Sequence, residues 1–323
     1  MVNLRYHIVS LAAVFLALAV GIVVGSTVID RAIVDALNDR VDAVERRAND
    51  TSAENRRLAG QVDVLRDFAD QARDELVTGE LRGVPVLVVT VQGVDRRPLE
   101  PLLDALATAE AVPAGVLSFT SKLRLDTDVD VRALATAVDT QPLGPDPVRR
   151  AALQQVASVL DGSAGASELL PDLIAAGFVS YDPPSAAGTT TTTLGLASFP
   201  VAGLRVVVVS GAGAAVPDDR LMGPFVQALA QPTGPPAVSP AANGGPRVVA
   251  AEAGDDEPGR RALFVGPLRS DGSLAPRLST VDNIESPPGQ AATVLALRDL
   301  AVPRTGHYGV GPGAQRLLPA AQT

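Results

Sequence analysis

The first apolar pattern in the chain is unbroken. From Ile8 to Ile29 there are 22 consecutive residues without a charge, and at 1.5 Å per residue such a helix matches a hydrocarbon core of roughly 30 Å. The run reads either as a membrane anchor or as a secretory signal, for which Ala17-Leu18-Ala19 offers a small-residue cleavage site. Val20, Ile22, Val23, Val24, Val28 and Ile29 carry the pattern well past that site, which a cleaved signal does not need. The expectation for residues 1–29 is therefore a single transmembrane helix, an uncleaved signal anchor held in the lipid bilayer. Its orientation is pulled two ways. Arg5 precedes the run whereas Arg31, Arg40, Arg46 and Arg47 follow it, a count that would hold the body inside. The very short N-terminal flank is that of an N-in anchor, and long translocated domains escape the charge rule. The predicted topology has the N-terminus cytoplasmic and the body outside.

The second pattern has a period of seven. Val34, Leu37, Val41, Val44, Ala48, Thr51, Asn55, Leu58, Val62, Leu65, Ala69, Ala72 and Leu76 follow alternating steps of three and four, with charged and amide residues between them. This is a heptad a/d seam, and it predicts a coiled-coil stalk over residues 30–78, roughly 60 Å long. A lone amphipathic helix lying on the body would show a wider apolar stripe. Asn55 falls at an a position, where a buried amide pair fixes register and favours two parallel strands. A parallel homodimer is the simplest expectation, with a higher oligomer as the alternative. Ala48, Thr51, Ala69 and Ala72 bury little area, so the seam depends on tethering by the adjacent anchor.

After Gly79 and Gly83 the period changes again. Pro85 to Val91 and Leu204 to Gly213 are short, Val-rich, continuously apolar runs, as in strands covered on both faces. Ala114–Phe119, Phe178–Tyr181, Arg247–Glu252 and Ala262–Val265 read as further strands. Helical spacing covers Arg97–Glu110, a stretch around Val148–Val159, Glu168–Ala176, Asp219–Ala230 and Gln290–Leu300. Strands alternating with helices predict a three-layer α/β domain with a mostly parallel sheet over residues 79–303. Pro232 to Pro246 reads as a connection, Thr189 to Thr193 as an exposed loop, and residues 304–323 as a Gly-rich irregular tail.

Composition narrows the function. Net charge is −9, Lys122 is the only lysine, and the arginines are scattered among acids, so nothing suggests nucleic-acid binding. With no cysteine, histidine only at His7 and His307, and methionine only at Met1 and Met222, the chain lacks the ligands for a soft metal site of its own. His7 reads as a membrane-interface residue, His307 as a loop side chain bonded locally, and Asp282 and Asn283 as turn or cap residues before the last helix. SGAGAAV, Ser210 to Val216, follows a strand but lacks the third glycine of a dinucleotide fingerprint, and Pro217 interrupts it. Phosphate-loop, esterase and zinc-protease motifs are missing from the sequence, which predicts a non-enzymatic protein without a cofactor.

Two ends of the chain carry a resemblance. HIVSLAAVFLALAVGIVVGS, then the heptads, VVVVSGAG, STVDNIESPPGQAATVLALRDL and GHYGVGPGA resemble the actinobacterial MctB-like copper transporter family over nearly the whole chain. The resemblance implies a cell-envelope protein of copper homeostasis, with copper ion as the transported species, and channel activity and an outer-membrane location attributed to a mycobacterial member. The matching residues are Ser279, Thr280, Val281, Asp282, Ile284, Gly289, Leu295, Asp299, Tyr308 and Gly309, without assigned roles. Two expectations follow: a copper transport or efflux component, and, as the alternative, a non-catalytic envelope scaffold whose stalk and body bind another envelope protein.

Overall fold

A computed structural model describes residues 4–164, 168–184, 202–231, 247–254, 263–302 and 304–320. The chain divides into two compact units, Met1–Asp67 and Phe68–Thr323.

The first unit is helical. Its described residues belong to α1 (Leu4–Val77), one continuous α-helix of 74 residues that runs on into the second unit. Arg5–Gly25 is long and apolar enough to cross a membrane, with a mean hydropathy of 2.8, and the helix passes Ala17-Leu18-Ala19 without a break. Beyond it Leu37, Val41, Val44, Leu58, Val62 and Leu65, all seam positions, are 43–65% exposed. Asn55 lies on the same helix and is exposed.

The second unit begins with the last turns of α1, where the helix becomes part of the body. Val77 is fully buried, and Arg73 Nη1 donates to Gln290 Oε1 at 2.7 Å. Ala69 and Ala72 are partly covered. The end of the predicted seam thus overlaps the stretch of α1 that joins the body at Arg73 and Val77.

The sheet has seven strands: β1 (Pro85–Val91), β2 (Val112–Phe119), β3 (Val179–Asp182), β4 (Arg205–Gly211), β5 (Val248–Ala253), β6 (Ser279–Val281) and β7 (His307–Tyr308). Their order is β3-β2-β1-β4-β5-β6-β7. All neighbours are parallel except β2 and β3, which pair antiparallel. Val86–Val91 and Val206–Gly211 are buried at every position, a pattern that arises only when helices cover both faces. Those helices are α2 (Leu99–Thr108), α3 (Asp128–Ala137), α4 (Pro145–Asp161), α5 (Leu169–Ala175), α6 (Met222–Ala230), α7 (Val265–Ser270) and α8 (Pro287–Asp299). α2 packs on α8, and α4 packs on α3, α5 and α6. Phe119 of β2 meets Phe225 of α6 edge to face with ring centroids 5.1 Å apart. α8 starts where the Ser286 hydroxyl accepts the Gly289 N–H, with Pro287 and Pro288 filling the first turn, where a missing N–H costs nothing. Residues 289–297 are all buried, so α8 is a core helix.

Three expectations need correction. Of the strand expected over Ala262–Val265, Leu263 and Phe264 form a turn and Val265 opens α7, because the backbone N–H groups of Leu263, Phe264 and Val265 all donate to the Glu252 carboxylate instead of to a neighbouring strand. The chain after Pro303 is not wholly irregular: His307–Tyr308 is an edge strand, and Tyr308 bridges onward to Arg316. His307 accordingly sits buried in the sheet instead of in a loop. The mostly parallel sheet is as expected, with the edge strand β3 the one that runs antiparallel to its neighbour. The threonine run Thr189–Thr193 and the Pro232–Pro246 connection lie outside the described residues.

Candidate functional site

Open parallel sheets bind ligands at the carboxyl ends of the strands where the order reverses. Here that point lies between β1 and β4, and SGAGAAV stands on it. Its glycines serve a different purpose. A Cβ on Gly213 would come within 2.6 Å of the Gly93 carbonyl oxygen, and a Cβ on Gly93 would collide with the Gly213 carbonyl oxygen. The Ala215 N–H donates to the Gln92 carbonyl at 2.7 Å. Both glycines have positive φ, 96° at Gly93 and 86° at Gly213, so they allow two loops to touch backbone to backbone where a nucleotide fold would hold a phosphate.

Behind that contact the Ser210 hydroxyl donates to Asp218 Oδ1 at 2.5 Å. Burial pushes the Asp218 carboxyl up to about 6, with the Ser210 bond opposing and the charge of Asp219 adding to the shift. A serine beside a carboxyl suggests hydrolytic chemistry, but the body's one histidine is on β7, three strands from β4 and so roughly 14 Å away at the usual strand spacing. The pair therefore lacks the imidazole that would activate Ser210.

The family-motif residues gather elsewhere, around Arg269 at the end of α7. Arg269 Nε donates to Thr280 Oγ1 at 2.8 Å. Its Nη1 donates to Asp282 Oδ2 at 2.8 Å and to the Pro312 carbonyl at 2.9 Å, and its Nη2 donates to the Tyr308 carbonyl at 2.7 Å. Arg269 and Asp282 form an ion pair whose side chains are only 2% and 3% exposed. Asp282 also accepts the N–H groups of Val310 at 2.7 Å and Gly311 at 3.0 Å. Thr280 Oγ1 lies 3.0 Å from His307 Nδ1. Burial first, and then the neighbouring Arg269 charge, holds the His307 imidazole below its usual range. Gly309, with φ at 123°, must be glycine because a Cβ there would overlap the Asp282 carboxylate.

The arrangement works as a clasp. Residues from α7, β6 and the C-terminal segment are tied through one guanidinium, and the donors and acceptors named above satisfy one another rather than facing a substrate. Asp282 is thus the partner of Arg269, and the cap of α8 is Ser286. Asn283 does form the turn, with φ at 58°.

Beside the clasp, Glu252 at the end of β5 is 1% exposed. Burial raises its carboxyl above the usual range, the three N–H groups it accepts pull the other way, and the Asp282 charge adds to the rise.

The remaining motif residues lie on β6, on the turn after it and on α8. Ser279 Oγ accepts the Gly306 N–H at 3.3 Å. Val281 and Ile284 are fully buried, and Leu295 is buried on α8. Gly289 packs under the Asn283 carbonyl, which leaves no room for a Cβ. Asp299 Oδ1 accepts Arg298 Nε at 2.9 Å and Nη2 at 2.7 Å. Asn55, on the first unit, belongs to none of this. Arg269, Glu252 and Asp218 stand in no motif that the sequence shows, whereas Ser210 opens SGAGAAV without its partner being visible there. Among the described residues no three His, Cys, Asp or Glu side chains form a group that could hold a metal ion.

Comparison with known proteins covers nearly the whole chain. Residues 1–319 match a family model described as "Copper transport outer membrane protein, MctB". The chain belongs to the MctB family. Relatives named "Copper transporter MctB" include those of Mycobacterium tuberculosis and Mycobacterium bovis, each 28% identical over 97% of this chain and 98% of the relative. The Mycobacterium leprae relative is 26% identical over the same shares. An MctB-family chain therefore combines one apolar N-terminal helix with an α/β body.

Proposed function

We propose that this protein is a membrane-anchored, non-enzymatic component of copper efflux in the cell envelope, with its body outside the cytoplasm. The family match over residues 1–319 carries the reading. The body favours a part that works within an assembly over a pore made by one chain. Outer-membrane barrels close antiparallel segments of about ten residues on themselves. The described strands run from two residues in β7 to eight in β2, pair mostly in parallel, and leave edges at β3 and β7.

Within the body, the His and Met side chains that could hold copper are also withdrawn from solvent. His307 is buried beside Thr280, Met222 is fully buried in the core, and the chain has no cysteine. Copper, as the transported substrate, would then pass over oxygen ligands of an assembly or over a partner's ligands. The exposed seam on α1 favours a second reading, a tethered scaffold that organises another envelope protein.

Growth on copper separates the two. A deletion strain should lose copper tolerance, the full chain should restore it, and a body released from the membrane by replacing residues 1–29 with a cleavable signal should not. Normal tolerance in the deletion strain removes the efflux reading and leaves the scaffold.

A further inference from the structure

We infer that the α1 seam from Leu37 to Leu65 is an interface for a second copy of this chain, paired parallel and in register. Leu37, Val41, Val44, Leu58, Val62 and Leu65 line up at a and d positions and are 43–65% exposed on the single chain. Water-exposed Val and Leu at heptad spacing are what a facing helix covers in a coiled coil.

Three observations select the occupant. The helix continues from the apolar Arg5–Gly25 span into the seam without a break, so two chains anchored in one membrane point the same way. This direction, though not the pairing itself, rests on the membrane-anchor reading. Secondly, in the heptad frame set by the seam, Arg40 falls at g and Glu45 at the following e, the two positions that face each other between parallel in-register strands. Both are exposed, and the symmetric dimer would hold the Arg40–Glu45 pair twice. Thirdly, Asn55 occupies an a position, where only an identical partner in register supplies a matching amide. The seam is weakest at Ala48 and Thr51, whose side chains bury little, so shared anchoring in the membrane is part of what holds the strands together.

Because the native chain has no cysteine, single cysteines give a clean test on the full chain in its membrane. Val41→Cys and Leu58→Cys lie on the seam, whereas Arg46→Cys and Ala53→Cys lie at outward f positions. With a short bismaleimide, each seam variant should cross-link to itself several-fold more than either outward variant. Glu45→Arg should reduce the Val41→Cys cross-link, and adding Arg40→Glu should recover it. Equal cross-linking at seam and outward positions, or none at either seam position, overturns the pairing. Carbonate extraction of the same membranes reports the anchor separately: release of the protein into the soluble fraction would count against the anchor, while cross-linking still decides the pairing.

Discussion

Arg269 and Asp282 show how one buried ion pair sets the rest of a motif. A guanidinium and a carboxylate removed from water are tolerated only with their remaining hydrogen-bonding groups engaged, and here Thr280, the Tyr308 and Pro312 carbonyls, and the Val310 and Gly311 N–H groups do this. Asp282→Ala leaves the Arg269 charge buried and unpaired. Denaturant unfolding of the detergent-solubilised full chain should show a loss of about 3–5 kcal/mol, and the double substitution Arg269→Met with Asp282→Leu should cost less than the single one. Asp218 makes a pH-dependent prediction at the same scale. Its carboxyl ordinarily titrates at 3.8 and is raised to about 6 in the folded chain, so the native state holds a proton that the unfolded chain has released. Unfolding free energy therefore falls as pH rises between about 4 and 6, by on the order of 1–3 kcal/mol. Asp218→Asn should flatten part of that slope. Glu252, raised in the same direction by burial, keeps the remainder.

Among the elements, legibility followed pattern length. The long apolar run and the Val-rich strands β1 and β4 could be read because every position repeats the same statement about burial. β6 and β7, with three and two residues, are too short to show any period. Ala262–Val265 reads as a strand, yet the N–H groups of its last three residues go to a carboxylate 11 to 13 residues earlier in the chain, which turns the backbone into α7. The clasp was half visible: Thr280, Asp282, Tyr308 and Gly309 stood in the motif, while Arg269 sits in a six-residue helix with no spacing to mark it. The role of Gly309 becomes plain only once the Asp282 carboxylate is seen where its Cβ would be. β7 also predicts a cost for truncation. Removing residues 304–323 would strip β6 of its edge partner and Arg269 of the Tyr308 and Pro312 carbonyls. The shortened chain should melt below even the Asp282→Ala variant in a thermal scan.

For the whole molecule, a continuous helix joins an apolar N-terminal span to an α/β body whose motif residues lock its own last strand in place. Orientation can be read with an impermeant thiol reagent on intact cells. Leu143 lies in a loop at 75% exposure, so Leu143→Cys should be labelled if the body stands outside the cytoplasm, and protected until lysis if it does not. The central claim is tested most directly by the copper content of cells that lack the protein, grown at fixed external copper and measured by mass spectrometry. The account predicts that copper accumulates in the deletion strain and returns to the parental value when the full-length chain is restored. Equal copper content in deletion and parental cells would contradict it.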